Sequence, residues 1–233
     1  MGTFSDNGSA HEHLIRDLAG DLEPVRRLRP PAVRAFGWLA FVAVIGVALA
    51  RFGDLPALEG RLSASPDMWL SVAGSVMTAV LAALAAFQLS LPDANRAWAL
   101  LPLPAALLWV TASGLGCLRA WLVPGTHVAE LTEARDCLMF IISISIPLSI
   151  LMFMMLRRAC SLQPGLTAAI AGLATAAAAA TLLNFFHPFD AAATDLAVHA
   201  CAIAVVIVAS WAFSGRLLST TSEIFVATCN LRA

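Results

Sequence analysis

Sixteen uncharged residues, 35–50, lie between Arg34 and Arg51, and five comparable apolar stretches follow at 68–91, 97–118, 137–156, 166–186 and 196–215. A bilayer hydrocarbon core about 30 Å thick takes roughly 20 apolar residues at helical rise. Five stretches meet that length, and the first reaches it if Arg34 and Arg51 snorkel toward the headgroups. The pattern predicts an all-α polytopic membrane protein. It has a short cytoplasmic segment (1–34), a bundle of six transmembrane helices (35–218) and a cytoplasmic tail (219–233).

The polar head has its own periodicity. Ser9 followed by Glu12 matches a capping box, which places a helix start near Ala10. Leu14, Ile15, Leu18 and Leu22 then form one apolar stripe on a 3.6-residue repeat, with His13, Arg16, Asp17 and Asp21 on other faces. Pro24 closes this amphipathic helix, and Val25, Arg26, Arg27, Leu28, Arg29, Pro30 and Pro31 form a stiff basic connector to the first span. Such a stripe lies on anionic lipid or enters a groove on a soluble partner. Asp17, Asp21 and Glu23 are poor company for anionic headgroups, which tilts the balance toward a partner.

Composition agrees with the span pattern: 60% of residues are hydrophobic and 12% charged, with a mean hydropathy of +0.82. A soluble domain carries about 25% charged residues. The net charge of −1 argues against direct binding of nucleic acid by bulk electrostatics. No cleavable leader is expected, because residues 1–33 lack an apolar run before a small-residue site. The first span is therefore expected to stay as an anchor.

All fourteen basic residues are arginines. Six spans put ten of them on the side of the N-terminus and four (Arg51, Arg61, Arg119 and Arg135) on the other. The positive-inside bias then places both termini in the cytoplasm. Trp38, Trp69, Trp98, Trp121 and Trp211 fall near span ends, where an indole favours the headgroup region. Pro102, Pro104 and Pro147 fall inside the expected spans, either as packing kinks or as part of a gate. The fifth stretch is dominated by Ala and Gly, which let helix backbones approach closely, so it is expected in the middle of the bundle.

Candidate chemistry gathers at the outer ends of the last two spans. His187, Asp190, Asp195 and His199, with Cys137 and His127 nearby, have the mixed donor set of a site for a soft or borderline divalent metal. The same residues can equally close a turn and cap the last span. The five cysteines (Cys117, Cys137, Cys160, Cys201 and Cys229) contain no CxxC pair, and an odd number cannot pair completely. Cys137, expected at a helix start where the dipole lowers a thiol pKa, is the candidate redox sensor. No HExxH, GxSxG or pair of catalytic carboxylates appears within a span, so no enzyme is expected. No resident cofactor is expected either, beyond a transient heavy-metal ligand. A small-molecule or ion transporter component is the alternative class, but the spans lack repeated broken, charged segments.

The run Leu14-Ile15-Arg16-Asp17-Leu18-Ala19, then Pro24-Val25-Arg26-Arg27-Leu28 and Pro30-Pro31 ahead of Arg34 and Trp38, resembles the NrsF-type anti-sigma factors of Proteobacteria. Further matches are Cys137, Arg157-Arg158, Gly172, His187-Pro188-Phe189-Asp190 and Asp195-Leu196-Ala197-Val198-His199. The resemblance runs from Leu14 to Leu218. It implies a membrane regulator whose cytoplasmic N-terminal segment holds an extracytoplasmic-function (ECF) sigma factor until an envelope signal releases it. Leu14, Ile15, Leu18, Leu22, Val25 and Leu28 are then the sigma-binding residues. The resemblance also implies stress sensing by outer cysteines, linked to heavy metals and oxidants. Cys137 corresponds to the family's first cysteine, whereas Pro188 stands where the second follows the His.

Overall fold

The computed structural model describes residues 6–20, 28–53, 56, 59–60, 66–122, 131–159, 161–183, 201 and 204–212. Among them all regular structure is helical. In chain order the helices are α1 (Asp6–Gly20), α2 (Pro31–Ala50), α3 (Pro66–Leu89), a 3-10 turn (Arg96–Leu100), α4 (Leu103–Leu122), α5 (Leu131–Leu156) and α6 (Pro164–Leu183). Residues 204–212 are helical as well. Five helical stretches are long and apolar enough to cross a membrane: Pro31–Ala50, Met68–Leu89, Arg96–Gly114, Leu138–Leu156 and Pro164–Leu183. Of the expected sixth span, only residues 201 and 204–212 lie among those described.

The boundaries follow from local chemistry. Pro30 is extended (φ −51°, ψ 143°), as a residue before proline must be, and Pro31 occupies the first helical position with its φ already set. α1 is already helical at Asp6, so Ser9 and Glu12 fall inside it instead of starting it near Ala10. The capping-box spacing also fits an uninterrupted helix, and here the backbone continues through it.

The third apolar stretch is not one continuous helix. Asn95 Oδ1 accepts from the Ala97 amide at 2.9 Å and opens the short 3-10 turn. Two prolines spaced by one residue then stop that turn. The Pro102 carbonyl accepts from the Ala106 amide at 2.9 Å, and Pro104 sits in the first turn of α4, where no amide donor is required. Among the described helices only α5 carries an interior proline, Pro147. Pro102 and Pro104 thus fall inside the Arg96–Gly114 stretch, as expected, at the join between the 3-10 turn and α4.

The Ala-rich α6 lies at the centre, as its texture predicts. Ala171, Ala174, Ala177 and Ala178 are buried with Ala79, Ala82, Ala83, Ala86 and Phe87 of α3. Leu148, Met152 and Leu156 of α5 and Ala35 and Trp38 of α2 complete that core. Gly74 and Gly172 permit the closest approaches. A methyl on Gly74 would stand 2.9 Å from the Trp109 backbone, and one on Gly172 would stand 3.0 Å from Ile207 Cα and Ser210. With no hydrophobic drive between helices in lipid, such contacts supply the dispersion that holds a bundle together.

Candidate functional site

Side-chain hydrogen bonds show which helix ends share one face of the bundle. The Arg34 guanidinium, one turn into α2, donates to Ser90 Oγ just past α3 (3.2 Å) and to the Met155 carbonyl in the last turn of α5. Ser161 Oγ and Thr167 Oγ1 donate to the Leu89 carbonyl, the last of α3, at 3.1 and 3.2 Å, which brings the start of α6 to the same end. Trp211 lies beside Gly165, adding the 204–212 helix. Arg29, Arg96, Arg157 and Arg158 are exposed at this end, where the chain arrives from α1.

Arg34 is 7% exposed and its guanidinium carbon stands 4.8 Å from the centroid of the Phe87 ring. Among the described residues no carboxylate pairs with it. The charge is met by backbone instead. The last carbonyls of a helix lack intrahelical partners and carry the negative end of its dipole. Met155 offers one directly, and Ser90 Oγ passes the contact on by donating to the Phe87 carbonyl at 2.7 Å. The expectation that Arg34 snorkels to headgroups is therefore corrected. Its long stem runs inward, where unpaired carbonyls of two neighbouring helices need donors.

Trp38 is corrected for a similar reason. It is fully buried, and its Nε1 donates to the Leu148 carbonyl at 3.1 Å. Trp69, Trp98 and Trp211 are exposed, as membrane-boundary indoles should be.

On α1, Leu14 and Ile15 are 57% and 66% exposed. Leu18 lies on the same helix, at the position the repeat assigns to their face. Leu28, at the entrance to α2, is also exposed. Leu22 and Val25 lie outside the described residues, as does the Leu18 side chain. Three of the six expected docking residues thus present apolar surface on the approach to the first span.

The sensing candidates are less visible. His187, Asp190, Asp195, His199 and His127 lie outside the described residues. Cys137 belongs to α5, which starts at Leu131, so it is nearly two turns inside the helix. A dipole effect fades beyond the first turn, and the expected help to its thiol from a helix start is withdrawn. Cys201 is exposed and, among the described residues, outside any disulfide.

The elements missed by sequence reasoning are Ser90, Met155 and Leu148. Their contribution is a hydroxyl relay and two main-chain carbonyls, and a carbonyl has no signature in residue type.

The family described as "NrsF: Negative regulator of sigma F" matches residues 18–219, most of the chain. No curated protein and no solved structure matches it.

Proposed function

The chain belongs to the NrsF family, negative regulators of a sigma factor, and on that premise we propose a membrane-bound anti-sigma factor that docks its target on the helix preceding the first span. The observation that carries this reading is the exposure of Leu14 and Ile15 on α1. An amphipathic helix that leaves its apolar residues uncovered suits a hydrophobic groove, with anchors at i, i+1 and i+4. Leu18 and Leu22 continue that stripe, and Val25 and Leu28 extend it toward the bundle.

The bundle then acts as tether and receiver. The exposed arginines around the start of α2 suit the cytoplasmic face of an inner membrane, where α1 meets soluble partners. The partner is an ECF sigma factor, and DNA is not contacted. Envelope stress, as heavy metal or oxidant, is received at the opposite end through Cys137 and the His187, Asp190, Asp195 and His199 group. No catalysis and no resident cofactor enter this mechanism.

Co-purification tests it. The full-length chain extracted from membranes retains one cellular sigma factor, and the Leu18→Asp variant at equal abundance loses it. Equal retention by both removes the stripe as the docking surface.

A further inference from the structure

One side chain, Arg34, joins the first turn of α2 to the ends of α3 and α5, and residues 28–30 lead directly into that turn. Pro30 and Pro31 stiffen that entry, so the path of the chain just ahead of α2 depends on how the start of α2 is held. A buried cation held by two helix ends has no equivalent resting place within the apolar core. Withdrawal of either end leaves the guanidinium short of an acceptor and unmakes the contact as a unit.

α5 is built to be the element that withdraws. Pro147 offers no amide to the carbonyl of Ser143, so the helix is weakened at mid-length. Two residues earlier, the Ser145 hydroxyl is buried with no hydrogen-bond partner among the described residues. On the next turn the Leu148 carbonyl holds Trp38, and beyond it the Met155 carbonyl holds Arg34. Two buried side chains of α2 therefore read the backbone position of α5 on the Arg34 side of its proline.

We infer that Arg34 is a latch that couples the bend of α5 to the presentation of α1. With Met155 and Ser90 in reach, the first turn of α2 is fixed and α1 is held in one orientation. A change of bend at Pro147 moves the Met155 carbonyl away, the first turn of α2 loosens, and α1 is no longer presented for docking. Packed helices with a proline hinge switch between discrete arrangements, which gives the latch two states. The cellular consequence rests on the proposed anti-sigma function; the mechanical coupling does not.

The test uses the full-length chain in lipid nanodiscs, followed by hydrogen exchange. Arg34→Gln is expected to speed exchange at residues 32–38 by about tenfold or more, with α3 and α6 unchanged within about twofold. Wild-type exchange at residues 32–38 in that variant overturns the latch. If Arg34→Gln does not accumulate, Ser90→Ala decides, because it keeps the cation and the Met155 contact. A smaller increase confined to residues 32–38 supports the latch, and no increase overturns it. In cells, a reporter driven by the regulated sigma factor should rise about fivefold without inducer when Arg34→Gln replaces wild type at equal abundance. An unchanged reporter overturns the coupling to α1. A wild-type chain that fails to repress the reporter contradicts the anti-sigma function instead, and the exchange result still judges the latch.

Discussion

The indole of Trp38 donates its Nε1 hydrogen to the carbonyl oxygen of Leu148 at 3.1 Å, and neither solvent nor lipid reaches the ring. The acceptor lies one residue beyond Pro147, so the bond ties α2 to the weakest point of α5. Trp38→Phe keeps most of the ring volume and removes the donor. The variant should fold and lose about 1 kcal/mol of stability, since interhelical polar contacts in bilayers are modest. Unfolding by SDS titration in bicelles measures this, and an unchanged midpoint contradicts the assigned contact.

Glycine positions give a paired prediction. Gly172→Leu forces a side chain into space already held by Ile207 and Ser210, and should cost about 1–3 kcal/mol by overpacking. Gly114→Ala meets nothing within 4 Å and should be neutral or stabilising by up to about 1 kcal/mol, through helix propensity. Thermal unfolding of both variants in detergent checks the contrast. Equal effects would show that the α6 approach to the 204–212 helix is looser than described.

These contacts show what is legible in the chain and what is not. Apolar length located α2, α3, α5 and α6 to within a few residues, because lipid imposes a length and composition on any helix that crosses it. Small residues marked α6 as central for an equally direct reason. The inward turn of Arg34 and Trp38 was illegible. Both lie at the edge of an apolar stretch, and position along an axis does not say which way a side chain points around it. Their partners are carbonyls, which every residue possesses. Pro102 and Pro104 were legible as lying inside an apolar stretch, but a proline there either kinks a helix or starts one, and only the path of the backbone distinguishes the two.

On α1, Leu14→Asp and Ile15→Asp change residues already in solvent, so bundle stability should stay within about 0.5 kcal/mol. Each should weaken sigma-factor binding by about tenfold or more, because a docking helix concentrates its affinity in a few apolar anchors. Titration of the nanodisc-embedded chain with the sigma factor reads both variants. Wild-type affinity in both moves the docking surface off this stripe.

For Cys137, substitution with Ala tests the sensing proposal apart from the docking proposal. Repression without stress should remain as in wild type, while induction by heavy metal or oxidant should be lost. A reporter measured with and without the stressor separates the two. Full induction in Cys137→Ala removes this thiol as the receiver.

The most direct examination of the anti-sigma reading is photo-crosslinking in living cells from a benzophenone amino acid placed at Ile15 of the full-length chain. The account predicts one dominant adduct, identified by mass spectrometry as a sigma factor and lost when the regulon is induced. Adducts confined to lipid or to periplasmic proteins, with the chain at normal abundance, would contradict it.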